Sequence, residues 1–70
     1  MSIARKSVAS SNIRSVGYDP KEQKVHVEFH SGDVWKYPAT AADHRAMVNS
    51  GSVGSYFHKH IKPRGGELAG

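Results

Sequence analysis

The chain has 70 residues, which is enough for one small domain and too short for a second. It contains no cysteine, so disulfides, thiolate metal sites and a cysteine nucleophile are excluded. Ten Lys and Arg residues against six Asp and Glu residues give a formal net charge of +4, which is compatible with a polyanionic partner.

Residues 1–9 are mostly polar or small and predict a flexible basic arm that carries Arg5 and Lys6. No apolar run follows these charges, so the arm does not resemble a signal peptide. No later segment is long enough to span a bilayer. We therefore expect a cytoplasmic protein that has no membrane partner.

The first strand is predicted over residues 13–18, before a turn that begins at Asp19 and Pro20. In the favoured register, the strand turns Val16 and Tyr18 toward the apolar face of the sheet. A slip of one residue would bring the first residue of the strand inward and turn those two outward. We favour the first register because it extends the apolar face across three strands.

The next two strands form a hairpin over residues 24–37. Apolar and polar residues alternate in its first strand, as is typical of a strand with one buried face. A three-residue loop that ends at Gly32 places Val27 opposite Trp35 and turns Trp35 inward. A two-residue loop would turn Trp35 outward. We favour the longer loop because it buries both large aromatics, Trp35 and Tyr37.

A short first helix is predicted over residues 41–48. Pro38 ends the preceding strand because it offers no amide to the ladder. Thr40 and Asp43 have the spacing of a capping box at the start of the helix. Helical spacing predicts an inward face formed by three residues, namely His44, Met47 and Val48.

A second helix is predicted to begin within residues 52–55 and to end before Pro63. Phe57 and Ile61 lie four residues apart and form its inward face, with Tyr56 beside them. The predicted fold is therefore α+β, with a three-stranded antiparallel sheet and two short helices packed on one face.

We expect a single domain over residues 10–64, followed by a disordered tail over residues 65–70. The core of so short a chain is small, which makes self-association into a homo-oligomer compatible with the sequence.

The outer face of the second helix is the predicted nucleic-acid surface. His58, Lys59 and Lys62 fall together at spacings of three and four residues. Arg64 follows just beyond them. Charges on one ridge can neutralise phosphates without reading sequence, although an ordinary solvated face would show the same pattern. Three basic residues would extend this surface if the amino-terminal region folds nearby, namely Arg5, Lys6 and Arg14.

The aromatic residues have two interpretations. Trp35 and Tyr37 could form a platform on which bases stack, or they could belong to the core. We favour the core, because a domain of this size has few other large residues. The predicted core aromatic motif has four members, namely Trp35, Tyr37, Tyr56 and Phe57.

No spacing typical of a nucleophile elbow, a phosphate loop or a carboxylate pair occurs, so we expect neither enzymatic activity nor a cofactor. Ser55 lies near His58, but a serine at a helix start is typical of a cap.

Gly54 is interpreted as allowing a tight connection between the helices rather than as a phosphate site. His26 and His30 would lie about 13 Å apart along a strand, too far to share a metal ion.

Several motifs resemble a known family. They are Ser10-Ser11-Asn12-Ile13, Val16-Gly17-Tyr18-Asp19, Val27-Glu28-Phe29, Ser31-Gly32 and Gly54-Ser55-Tyr56-Phe57. Together they are similar to the KTSC domain, named after the carboxyl terminus of certain lysyl-tRNA synthetases and also found in small bacterial and phage proteins. The resemblance covers about residues 8–64. Where the family has a tyrosine, any residue, then a tyrosine, this chain has Trp35-Lys36-Tyr37.

The resemblance and the charge together favour a small non-catalytic module that binds RNA, either tRNA or another structured RNA. The alternative is a module that binds a protein partner through a sheet edge or an exposed aromatic surface.

Overall fold

The structure is a computed structural model, and it describes residues 4–8 and 10–69. Its strands are β1 (Lys6–Ser7), β2 (Ile13–Asp19), β3 (Lys24–Phe29), β4 (Val34–Pro38) and β5 (Glu67–Leu68). Its helices are α1 (Ala41–Asn49) and α2 (Val53–Tyr56), and α2 continues as a π-helix (Phe57–Ile61) and a 3-10 turn (Lys62–Arg64). We refer to residues 53–64 as the second helical segment. Within the described ranges, no helix is long and apolar enough to cross a membrane.

The β3–β4 hairpin confirms the predicted three-residue loop. The Phe29 amide donates to the Asp33 carbonyl at 2.9 Å, and Gly32 adopts a φ of 101°, which favours glycine. Val27 lies opposite Trp35, as the longer loop requires. The aromatic side of β4 is therefore turned toward the core.

The β2–β3 pairing confirms the favoured register for Val16. It also turns Ile13 inward, which was expected only from the alternative register. Val16 pairs with Val27, and it is buried as predicted. The register shifts between Ile13 and Ser15, so Arg14 is an extra, unpaired residue. This β-bulge brings Ile13 inward as well, without turning Val16 outward.

Within residues 4–8 and 10–69 the sheet has five antiparallel strands in the order β1-β2-β3-β4-β5, so the prediction of three strands is wrong. The two additional strands, β1 and β5, have two residues each and lie at the edges. They fall within the predicted arm (1–9) and tail (65–70), of which residues 1–3, 9 and 70 lie outside the described part. Strands this short are held by main-chain hydrogen bonds, and their sequence has no periodic pattern to detect.

The core lies between the sheet and the helices. Tyr37 and Phe57 meet edge to face, with ring centroids 5.0 Å apart. The buried apolar residues are Ile13, Val16, Val25, Val27, Tyr37, Ala39, Met47, Val53, Phe57 and Ile61. Apart from Ala39, which lies between β4 and α1, they come from three strands and both helical regions and form one cluster.

Helix α1 begins with the predicted capping box, in which the Asp43 amide donates to the Thr40 hydroxyl at 3.1 Å. Met47 is fully buried, and the His44 ring is half-buried against Tyr18. Val48 is 37% exposed, so its predicted inward position is wrong. Val48 lies about 100° around the helix from the fully buried Met47, beyond the half-buried His44, and so reaches the edge of the inward face.

Candidate nucleic-acid interface

A groove of about 880 Å³ separates the second helical segment from the start of β2 and the β3–β4 loop. Five serines, two lysines, two histidines and one asparagine supply its polar lining, and Ile13, Phe29 and Phe57 supply apolar surface. No aspartate or glutamate lines the groove among the described residues. Its lining therefore suits an anion.

The helix wall of the groove begins at Ser52, which caps α2 by accepting a hydrogen bond from the Ser55 amide at 3.3 Å. The predicted capping role of Ser55 therefore belongs to Ser52, and the exposed Ser55 side chain lines the groove. Farther along, the Lys62 amide donates to the Phe57 carbonyl five residues earlier. Such π-type turns are frequent at functional sites.

The side chains of the second helical segment face in two directions. Phe57 and Ile61 are buried in the core, whereas Lys59 and Lys62 line the groove. The same short segment thus contributes both to the core and to a basic surface.

The opposite wall is built on Ser10. Its hydroxyl accepts hydrogen bonds from the amides of Asn12 and Ile13, each at 3.3 Å. Its carbonyl lies 3.0 Å from Nε2 of His30, which joins this turn to the hairpin. A Cβ on Gly54 would lie 2.8 Å from the Ser10 hydroxyl, so Gly54 allows this turn to approach the helix rather than connecting two helices tightly.

Three of the predicted nucleic-acid residues, His58, Lys59 and Lys62, line the groove together. Arg64 does not join them. Its guanidinium donates to the Asp43 carboxylate at 2.7 Å and to the Pro38 carbonyl at 3.2 Å. Arg64 therefore links two parts of the fold.

The basic residues of the amino-terminal region do not line the groove. Arg5 donates to the Ser15 hydroxyl at 3.2 Å, on the sheet face opposite the helices. Lys6 lies on the edge strand β1. Arg14 lies nearest, since its guanidinium is 3.5 Å from the His30 carbonyl and 4.0 Å from Glu28. The predicted extension of the basic surface is thus limited to Arg14.

Carboxylates neutralise most other cations on the sheet. Lys24 lies 2.6 Å from Glu67, and Lys36 lies 3.2 Å from Glu22. The contact with Glu67 raises the pKa of Lys24 and lowers that of Glu67. Within the described part of the chain, Lys59 and Lys62 have no such partner. The groove therefore carries two positive charges that no carboxylate of the described residues neutralises.

The predicted core aromatic motif is partly exposed. Tyr37 and Phe57 are buried, and burial raises the pKa of the Tyr37 hydroxyl. Trp35 and Tyr56 pack against the core but remain half-exposed. Trp35 lies opposite Leu68, which is 59% exposed, at the β4–β5 edge.

The sequence did not predict that Phe29, His30 and residues 10–13 belong to the same site as the lysines. One signal was available, because Ser10-Ser11-Asn12-Ile13 and Gly54-Ser55-Tyr56-Phe57 are both motifs of the family resemblance. Every residue of the first motif and three residues of the second line the groove. The spacing of these motifs along the chain does not reveal that they are adjacent.

Comparison with known proteins gives consistent matches. The model of the KTSC domain family matches residues 9–64. An uncharacterized protein of Stutzerimonas stutzeri (strain A1501) is 38% identical over 61 residues, which cover 86% of each chain. The crystal structure of a KTSC domain protein from Yersinia pestis has a TM-score of 0.87 and 28% identity, covering 99% of this chain and 100% of that one.

A segment of a larger protein also matches. A lysine–tRNA ligase of Nostoc sp. (strain PCC 7120) is 38% identical over 55 residues. The match covers 74% of this chain and 9% of the ligase.

Proposed function

The chain belongs to the KTSC domain family, and from that premise we propose that it is a small, non-catalytic module that binds tRNA or another structured RNA in the cytoplasm. The observation that carries the proposal is the groove, where Lys59 and Lys62 are free of ion pairs within the described part of the chain and no carboxylate is present. The match to part of a lysine–tRNA ligase supports RNA as the polyanion.

Phosphate contacts are the expected source of affinity. The ammonium groups of Lys59 and Lys62 can each neutralise a phosphate and release counterions, and serine hydroxyls beside them can donate hydrogen bonds to phosphate oxygens. Such contacts position the RNA backbone without reading its bases. Arg64 is excluded from this set, because Asp43 and Pro38 already engage its guanidinium.

The test is a titration of the purified protein with mixed tRNA and with duplex DNA of similar length, at about 50 and about 200 mM salt. A double variant, Lys59→Ala with Lys62→Ala, removes the two groove charges. The matched control is Lys21→Ala with Arg45→Ala, which removes two exposed charges outside the groove.

We expect the wild type to prefer tRNA and to bind it less tightly at higher salt. The groove variant should weaken binding to all RNA sequences alike and reduce the slope of log K against log salt by roughly 2, because each lost phosphate contact lowers the slope by about 1. The control variant should keep most of the wild-type slope of log K against log salt. Equal losses in the two variants would show that net charge, and not the groove, determines binding, and would overturn the site assignment.

A second candidate function, binding of a protein partner or of a second copy of the chain, is favoured by the exposed apolar pair at the β4–β5 edge. Trp35 is half-exposed and Leu68 is 59% exposed on neighbouring strands. Such an interface should depend little on salt. Light scattering and a nuclease-treated pull-down would test it, and loss of association in Leu68→Ser, with tRNA binding unchanged, would support it.

A further inference from the structure

The lining of the groove differs from that of a simple basic surface. The helix wall supplies Lys59 and Lys62, whereas the hairpin side supplies two rings, those of Phe29 and His30. A surface that contacts only the phosphates of a duplex does not require rings beside its lysines. A nucleotide, however, has a charged phosphate and an apolar base face, and it can use both kinds of lining.

The His30 ring is held in place although it is exposed. The ring atom Nε2 lies 3.0 Å from the Ser10 carbonyl, and the main-chain amide of His30 donates to the Asn12 carbonyl at 3.2 Å. Because a carbonyl only accepts, Nε2 carries the proton and the ring is fixed in one orientation. A fixed ring loses little side-chain freedom when a base stacks on it.

Phe29 is held in a similar way. It is half-buried, and its ring contacts Phe57 edge to face at a centroid distance of 5.7 Å. Its remaining exposed surface lines the groove beside His30. The two neighbouring rings therefore provide an ordered apolar contact close to the charged wall.

The size of the groove also favours a single nucleotide. Its volume of about 880 Å³ lies within the range of sites for small ligands. The bases of a continuous duplex are stacked on one another, so only their edges and the backbone could reach the groove. An unpaired nucleotide can place its whole base inside it.

We propose that the groove binds one unpaired nucleotide of the RNA, with its phosphate at Lys59 and Lys62 and its base against His30 and Phe29. This inference rests on the proposed function and specifies which part of the RNA enters the site. It predicts a preference for RNA with an overhang or a bulge over fully paired RNA.

The experiment compares two RNA stems of identical sequence, one blunt and one with a single unpaired nucleotide at its 3′ end, in fluorescence-anisotropy titrations at fixed salt. The wild type should bind the second RNA about tenfold more tightly, as expected for one stacked base. His30→Ala should abolish this preference, and His30→Phe should retain part of it, because phenylalanine keeps a ring for stacking but lacks the hydrogen bond that fixes the ring. His60→Ala is the matched control, since His60 contacts Tyr56 outside the groove.

The outcomes separate the two proposals. Equal binding of both RNAs by the wild type would overturn the unpaired-nucleotide site while leaving the RNA-binding function intact. Loss of the preference in His30→Phe as well as in His30→Ala, with both variants folded by circular dichroism, would overturn the assignment of the base to the His30 ring. Failure of the wild type to bind either RNA would overturn the proposed function, and this inference with it.

Discussion

The guanidinium of Arg64 donates a 2.7 Å hydrogen bond to the carboxylate of Asp43, and this contact joins the end of the second helical segment to the start of α1. The same carboxylate accepts a hydrogen bond from the Thr40 amide at 2.9 Å. The hydrogen bond from Arg64 is the main reason that the pKa of Asp43 lies well below its ordinary value. One carboxylate thus completes a helix cap and holds a cation away from the groove.

Removing the Arg64 guanidinium should reduce stability rather than RNA binding. We expect Arg64→Ala to lower the free energy of unfolding by up to about 1 kcal/mol at neutral pH, since the pair is partly exposed to solvent. Urea denaturation measures this, and Arg45→Ala, an exposed residue of α1, is the control. A loss of tRNA affinity in Arg64→Ala equal to that in Lys59→Ala would place Arg64 in the interface.

The pair of Arg64 and Asp43 predicts that the free energy of unfolding falls as the pH is lowered into the acidic range. A carboxyl whose pKa is depressed by folding stabilises the protein fully above its unfolded pKa, near 4, and loses that contribution as the pH falls toward the lower folded value. The difference in unfolding free energy between the wild type and Asp43→Asn should therefore shrink as the pH is lowered from about 5. A difference that stays constant down to the lowest pH at which the protein folds would contradict this.

His44 should make the protein less stable at mildly acidic pH. Its ring stacks on Tyr18 at 5.7 Å, and burial lowers its pKa. The folded state therefore favours the neutral ring, so stability is complete above the ordinary pKa near 6.5 and falls as the pH drops below it. Denaturation midpoints of His44→Phe should vary less between about pH 8 and about pH 5 than those of the wild type.

The His44→Phe variant should keep part of the pH dependence, because burial also lowers the pKa of His26. The double variant His44→Phe with His26→Gln should then vary least. A pH dependence in His44→Phe as large as that of the wild type would show that the His44 ring is not the source.

Gly17 should be required for pairing of the first edge strand. A Cβ on Gly17 would collide with the main-chain carbonyl of Ala4, so Gly17→Val should displace β1 from β2. Hydrogen exchange of the Val8 amide, which donates to the Arg14 carbonyl at 3.1 Å, should become much faster. Gly51→Val is the control because a Cβ there meets open space, and equal exchange in both variants would contradict the prediction.

The contact between Gly54 and Ser10 should be sensitive to a single methyl group. In Gly54→Ala the new Cβ would push the Ser10 hydroxyl away from the two amides that donate hydrogen bonds to it. This should cost about 1 kcal/mol of stability. Thermal denaturation measures the loss. Adding Ser10→Gly should make Gly54→Ala nearly neutral, and strictly additive effects of the two changes would argue against the contact.

Local patterns in the sequence determined much of this fold. The alternation in residues 24–29 and the position of Gly32 predict the hairpin and its register, because strand period and turn chemistry depend on neighbouring residues. The spacing of Thr40 and Asp43 predicts the helix cap for the same reason. These features correspond to the α+β organisation that the structure shows.

Tertiary contacts decided the remainder. The bulge at Arg14 lets Ile13 join the core, and this choice depends on packing across the sheet rather than on local pattern. The two edge strands are held by main-chain hydrogen bonds to β2 and β4, which any side chains except proline would allow.

The candidate site shows the same division. Helical spacing groups His58, Lys59 and Lys62, with Arg64 just beyond them. A carboxylate from α1 engages Arg64, however, while no carboxylate of the described chain pairs with the two lysines. The groove itself requires residues 10–13 to meet the second helical segment. Local sequence therefore establishes which residues are charged and the secondary structure around them. Which charges are neutralised and which surfaces face one another follows from the folded structure, because both depend on contacts between residues far apart in the chain.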